Sequence, residues 1–203
     1  PTASLLSGVD VSRLRNLLAR PSIRFTTVVA MGAFFTWQAF VSFFPTFLVE
    51  YVRLSTARAS LVFAGVFAVT VLGAPLLGWA SDTTGRDLAL GASLLAGVVG
   101  YACFLFVGGV AAVVAGTLLL GLGLSWPAVL DSRFMDNLAA DERGTGFGLV
   151  RTFLLLVSAQ GSVVTGALAQ RAGWLVAYGT VAGVLGLLVC LLVANRIVGT
   201  DDG

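Results

Sequence analysis

The chain has no histidine and no lysine among its 203 residues, so all twelve basic residues are arginine. Without histidine, the chain lacks Ser-His and Cys-His catalysis, the common zinc sites and a histidine proton relay. Its two cysteines, Cys103 and Cys190, each stand alone in an apolar run, which is typical of small packing residues. We therefore expect no disulfide, no metal and no cofactor.

Charge of either sign is also scarce. Charged residues make up 11% of the chain and hydrophobic residues 58%, whereas a soluble domain has roughly a quarter of its positions charged. The mean hydropathy is +0.97. A net charge of +2 without any block of basic residues gives no indication of a nucleic-acid partner. The composition predicts a protein whose surface faces the lipid bilayer.

Six apolar runs are each long enough to cross a hydrocarbon core, which takes about 20 residues. They predict an all-α membrane protein of six transmembrane helices, with spans at about 25–48, 59–80, 88–107, 110–130, 146–169 and 175–194. The arginines predict the orientation, because cytoplasmic segments carry more positive charge. With both termini in the cytoplasm, the inner segments hold eight arginines and the outer segments hold three, namely Arg53, Arg58 and Arg171. We expect an integral protein of the plasma membrane.

The regions outside the spans also have distinct compositions. Residues 9–20 place Leu14, Leu17 and Leu18 near one helical face and arginines on the other, which predicts an interfacial helix within a linker over 1–24. The six-helix domain follows over 25–196, and residues 197–203 are expected to form a disordered cytoplasmic tail. Because the chain starts at Pro1 without an initiator Met or a signal peptide, we expect a fragment of a longer protein.

The second and fifth spans end in similar patterns. Gly78 and Gly85 lie seven residues apart around a polar turn, as do Gly166 and Gly173. With three helices per unit, these two turns fall on opposite faces of the membrane. This arrangement predicts a 3+3 inverted repeat.

The turn after the second span reads Gly78-Trp79-Ala80-Ser81-Asp82-Thr83-Thr84-Gly85-Arg86. It resembles the signature loop of the major facilitator superfamily, Gly-x-x-x-Asp-Arg/Lys-x-Gly-Arg/Lys, at four positions: Gly78, Asp82, Gly85 and Arg86. Thr83 and Asp87 depart from the family pattern, since basic residues are usual at both positions. Such degenerate loops are typical of the family's C-terminal half, so the resemblance implies that half.

The resemblance implies transport of a small solute by alternating access, in partnership with another six-helix half from the same chain or a second copy. It also implies that Asp82, beside the negative end of its own helix dipole, meets a partner across the halves and closes the inner side. A plain solvated turn is the alternative. Gly78 would allow close helix approach, and Gly85 a left-handed turn.

One arginine lies within a predicted span. Arg151 is about 10 Å from the inner start of span five, where an unpaired charge costs at least about 3 kcal/mol. We therefore expect it to join Asp82, Arg86 and Asp131 in one inner cluster. A gating or structural ion pair and direct binding of substrate are both open for this cluster.

Four polar or aromatic residues are candidates for lining a cavity. The family's first, second, fourth and fifth helices line the centre of each half, and on that map the candidates are Trp37, Gln38, Thr117 and Gln160. A buried amide in lipid is costly unless it faces water or a partner. Hydrogen bonds between helices are an equally good use of these side chains.

Two other functions compete with transport. An intramembrane enzyme needs a nucleophile with a base, paired carboxylates or metal ligands at membrane depth, and the spans supply none of these, so we expect no enzyme. A non-transporting six-helix partner or assembly protein is the stronger alternative.

Overall fold

The computed structural model describes residues 11–140 and 142–199, and this part of the chain is helical. Its helices are α1 (Val11–Ala19), α2 (Pro21–Glu50), α3 (Thr56–Thr84), α4 (Arg86–Phe106), α5 (Val110–Gly123), α6 (Pro127–Asn137), α7 (Thr145–Ser158), α8 (Gln160–Ala172) and α9 (Trp174–Gly199). The tail was expected from residue 197, but α9 continues to Gly199. The linker residues before 11 and the tail from 200 lie outside the described residues.

Six helical stretches are long and apolar enough to cross a membrane, which confirms the predicted fold class. They are Pro21–Glu50, Thr56–Thr84, Arg86–Phe106, Val110–Asn137, Gly146–Ala172 and Trp174–Ile197. Two of these spans contain two helices each. Span four changes from α5 to α6 at Pro127, whose missing N–H suits the first helical position. Span five changes from α7 to α8 at Ala159, which no proline predicts.

Two opposite ends of the bundle can be distinguished. The loop end carries the turn at Gly85, the connection between α6 and α7, and helix α1. The far end carries the connections α2–α3, α4–α5 and α8–α9. Gly85, Gly109 and Gly173 have φ of 94°, 91° and 85°, and only glycine adopts such values without strain. Gly85 and Gly173 each reverse the chain alone, because their neighbours on both sides are helical.

Aromatic side chains fill the bundle between spans one, three and six. Phe44, Phe47, Tyr101 and Tyr178 are fully buried. The Phe44 ring meets Phe104 edge-on at 5.3 Å between centroids, and the Phe47 and Tyr178 centroids lie 4.3 Å apart. Ring pairs of this kind add stability beyond the area that they bury. The aromatic residues of span one are therefore mostly core.

Spans three and four touch through glycine. A Cβ at Gly123 would clash with the backbone of Gly97, and a Cβ at Gly100 would come within 2.7 Å of the Leu120 nitrogen. Lipid tails are as apolar as leucine, so helices in a bilayer associate through close packing. These glycines allow that packing.

Helix α1 packs against the bundle at the loop end. Leu17, expected on a membrane-facing side, is 2% exposed and lies beside Gly146 of α7. The Arg20 guanidinium makes two 2.7 Å hydrogen bonds to the Glu142 carboxylate. The amphipathic face therefore contacts the protein at Leu17.

We predict that Gly123→Ala lowers the stability of the protein, because the added methyl meets the Gly97 backbone. Overpacking of this kind costs about 1–3 kcal/mol. Gly183→Ala is the matched control, since nothing lies within 4 Å of its Cβ position. Thermal unfolding of the purified protein in detergent measures both. Equal melting temperatures for the two variants would contradict the close contact.

Candidate functional site

The turn between spans two and three is held by Arg86. Its guanidinium donates to Asp82 Oδ1 at 2.6 Å, to Ser81 Oγ at 2.7 Å and to Asp136 Oδ2 at 3.1 Å. Asp82 lies in the last turn of α3 and Arg86 begins α4, with Gly85 between them at positive φ. Arg86 thus joins spans two, three and four at the loop end.

This arrangement supplies Asp82 with a partner inside its own turn. The predicted contact of Asp82 with Arg86 is therefore present, while its partner across the halves stays a prediction. The Asp82 and Asp136 side chains are 66% and 56% exposed, and pairs this exposed are worth about 0–1 kcal/mol. Arg86 can therefore change partners at little cost.

Arg151 and Asp131 form a second pair, deeper in the bundle. Arg151 Nη1 lies 2.7 Å from Asp131 Oδ1, and the side chains are 33% and 40% exposed. The guanidinium also lies over the Phe34 ring at 4.8 Å and near the Phe147 ring at 5.9 Å. A cation over an aromatic face gains a further attraction. Arg151 is thus paired with a carboxylate and partly shielded by two rings.

The four charged residues expected in one cluster form two separate groups. Asp131 precedes Asp136 by five residues on α6, which places it about 7.5 Å further from the loop end at 1.5 Å per residue. Arg86 reaches only the nearer carboxylate. Asp131 is left to Arg151.

A third pair was missed by the sequence analysis. Arg133 forms an ion pair with Asp87, and these side chains are only 12% and 24% exposed. Arg133 Nε also donates to Thr26 Oγ1 at 3.0 Å, and the Asn195 amide donates to Asp87 Oδ2 at 3.3 Å. The group connects spans one, three, four and six. Its only sequence signal was Asp87, an acid where the family usually has a base.

The two glutamines lie at equal depth on neighbouring spans. Gln38 precedes the end of α2 at Glu50 by twelve residues, and Gln160 precedes the end of α8 at Ala172 by twelve. Both are about 18 Å from the far end. A Cβ at Gly161 would clash with the Phe35 carbonyl, so the two spans touch at this level. Within 11–140 and 142–199, neither amide has a hydrogen-bond partner.

The other two cavity candidates, Trp37 and Thr117, contact neighbouring residues of the bundle. Trp37 is half-buried, with its ring edge-on to Phe67 at 5.8 Å. Thr117 donates its hydroxyl to the Val113 carbonyl at 2.7 Å and packs beside Gly65 of span two. Unlike Thr117, the two glutamine amides have no hydrogen-bond partner among the described residues.

Gly78 makes no close contact inside this bundle. No described atom lies within 4 Å of the position that its Cβ would take. The close helix approach expected at Gly78 is therefore not made within the described chain. It stays a prediction for a partner.

Comparisons with known proteins agree with this fold. The sequence model of the Major Facilitator Superfamily matches residues 26–200. The crystal structure of the POT family transporter PepTSo superposes with a TM-score of 0.75 and 18% identity, over 86% of this chain and 37% of that one. The chain thus spans less than half the length of this structural neighbour. No match was found among curated protein sequences.

We predict that Arg133→Gln destabilises the bundle, because it leaves the Asp87 carboxylate half-buried without a cation. Breaking a buried pair costs about 3–5 kcal/mol, and the remaining exposure of these side chains lowers our expectation to about 2 kcal/mol. The double variant Asp87→Asn/Arg133→Gln should recover much of the loss, since no charge remains.

Thermal unfolding in detergent measures both variants. Arg24→Gln is the control at the same end, as Arg24 is exposed and in no ion pair with any described residue. A double variant as unstable as the single one would refute the role of the charge.

Proposed function

Since the chain belongs to the major facilitator superfamily, we propose that it forms one six-helix half, the C-terminal one, of a secondary transporter for a small solute. The solute crosses by alternating access in a cavity shared with the other half. Rigid-body rocking of the two halves opens the cavity to one side at a time. The following observations support this proposal.

The two glutamine amides carry the proposal. An amide without a partner at mid-membrane depth is costly in lipid, so its natural surroundings are water, a solute or another polar group. Gln160 is exposed on the bundle and Gln38 is half-buried beside it. Two such amides on adjacent spans fit the wall of a hydrated cavity.

The distribution of burial among the spans supports a second half that covers spans two and five. Inside this chain, 11% of the apolar window of span two and 22% of that of span five are buried, against 33–50% in the other four spans. Exposed leucines suit lipid or protein equally, but Gln160 on span five suits only a polar surface. The second half therefore covers spans two and five. It comes from the same full-length chain or from a second copy.

The contacts between spans also support a 3+3 inverted repeat. Span one packs on span five and span two on span four, while spans three and six pack on each other. Exchanging the first three spans for the last three reproduces these three pairings, although the contact of span one with span two has no counterpart between spans four and five. The single-glycine turns at Gly85 and Gly173, with φ of 94° and 85°, are likewise exchanged.

We assign the gate to the exposed pairs at the loop end. Arg86 with Asp82 and Asp136, and Arg151 with Asp131, are partly exposed and can be made and broken during a cycle. The less exposed Arg133–Asp87 pair holds four spans together throughout it. The excess of arginines at the loop end supports a cytoplasmic location for that end. We assign the protein to the plasma membrane.

We predict that a cysteine at position 160 reacts with a charged, membrane-impermeant thiol reagent. Gln160→Cys is made in a background of Cys103→Ser and Cys190→Ser, in the complete transporter. Leu187→Cys is the control, since Leu187 lies at mid-span on α9 and is 59% exposed. Lipid around residue 187 should block the charged reagent, while both cysteines should react with a small permeant one.

Comparing the labelling of residues 160 and 187 distinguishes a transporter from a non-transporting partner protein. A cavity that alternates gives labelling of residue 160 from each side in turn, and the added solute changes its rate. Labelling of residue 160 as slow as that of residue 187 would refute the cavity.

We predict that Arg151→Ala impairs solute uptake by about tenfold in protein that inserts normally, because Asp131 loses its cation. A tenfold change corresponds to about 1.4 kcal/mol, which is a reasonable interaction energy for a half-exposed ion pair. Arg196→Ala is the control, being exposed and in no ion pair in the described part of the chain. Unchanged uptake kinetics would remove Arg151 from the mechanism.

A further inference from the structure

A cavity of about 850 Å³ lies at the far end of the bundle, away from the paired charges and from the two glutamines. It is open on one side and is lined by the connection between spans one and two, the first turns of span two, and the turn joining spans three and four. Its size falls within the 300–1,000 Å³ that is usual for ligand pockets.

The rim of the cavity is apolar and exposed. Leu61 and Phe106 are each 73% exposed and Val110 is 80% exposed, and all three line the opening. They belong to the ends of spans two, three and four. Phe106 and Val110 lie on spans that the second half leaves uncovered, so in a membrane these two side chains face acyl chains. A cavity with such a rim opens toward hydrocarbon and admits an apolar chain.

Among the polar groups of the wall, Tyr51 has a hydrogen-bond partner, whereas the Arg58 guanidinium has no paired carboxylate among the described residues. The Tyr51 hydroxyl donates to the Leu105 carbonyl at 3.0 Å. Arg58 is the charged residue among the described lining residues. It is exposed in the first turn of α3, with no carboxylate paired to it in residues 11–140 or 142–199. The positive end of the helix dipole adds to its attraction for an anion.

We propose that this cavity holds the acyl chain of a membrane phospholipid whose phosphate pairs with Arg58. The apolar wall supplies burial for the chain, and the guanidinium can bind two phosphate oxygens at once. The position at the end of the spans matches the depth of headgroups, where basic side chains attract anionic lipids. The inference does not depend on transport, because no residue of the gate or of the glutamine pair takes part.

Native cysteines provide the test. Cys103 lines the cavity and is partly buried, whereas Cys190 is exposed on α9. The variant Cys190→Ser leaves Cys103 as the reporter, and Cys103→Ser leaves Cys190 as its control. Modification by N-ethylmaleimide is followed in the purified full-length protein, in detergent alone and with added dioleoylphosphatidylglycerol.

We expect the phospholipid to slow the modification of Cys103 about tenfold and to leave that of Cys190 unchanged. Dioleoylglycerol, which lacks phosphate, and inorganic phosphate, which lacks the chain, should each protect much less. Arg58→Gln should raise the phospholipid concentration needed for protection about tenfold. Arg171→Gln, an exposed arginine at the same end outside the cavity, should behave as the parent protein does.

Three results would overturn the proposal: no protection by the phospholipid, equal protection by dioleoylglycerol, or equal effects of Arg58→Gln and Arg171→Gln. Thermal unfolding of the two arginine variants shows whether both fold. If Arg58→Gln does not, Arg58→Lys keeps the charge and should retain most of the protection. Loss of protection in a well-folded Arg58→Lys variant also counts against the phosphate contact.

Discussion

A charge set into an apolar helix must be neutralised by another helix, and the loop end of this bundle is organised by that constraint. Arg86, Arg133 and Arg151 each pair with an aspartate on another span. The Arg86 and Arg133 pairs join spans three and four, and the Arg151 pair joins spans four and five. The choice of partner is fixed by reach along each helix. The result is a set of ionic connections that ties the ends of spans two, three, four and five to one another.

The connections differ in strength because they differ in exposure. Arg133 and Asp87 are mostly shielded and gain further hydrogen bonds from Thr26 and Asn195. Arg86 has two carboxylates that are more than half exposed. The aromatic core and the glycine contacts between spans three and four make the rest of the bundle stiff. Such a body can move as a unit while its exposed pairs rearrange.

Hydropathy was enough to predict six spans and an all-α fold, since lipid permits few other solutions. The depth of Arg151 likewise predicted a carboxylate partner, and Asp131 is that partner. The prediction of one cluster of four charges was wrong, because depth alone does not give the separation of about 7.5 Å along α6 that decides which arginine reaches which aspartate. Arg133 was read as a loop charge because the helical extension to Asn137 is not visible in hydropathy.

Glycine shows a similar limit. The left-handed turn at Gly85 follows from its place between two apolar runs, and φ there is 94°. By contrast, Gly78 and Gly123 read alike in sequence, yet only Gly123 touches a neighbouring helix. The difference depends on which side of each helix faces the bundle. The side that faces the bundle is determined by packing between helices, and the residues around one glycine do not reveal it.

The unequal shielding of the ion pairs has a consequence for the surrounding solution. Dissolved salt weakens exposed ion pairs, and mobile ions reach Arg86, with its two exposed carboxylates, more easily than the shielded Arg133. Concentrated electrolyte on that side of the membrane would loosen the turn at Gly85 and leave the joint at Asp87 intact. The ion pairs of the loop end therefore differ in how strongly they respond to ionic strength.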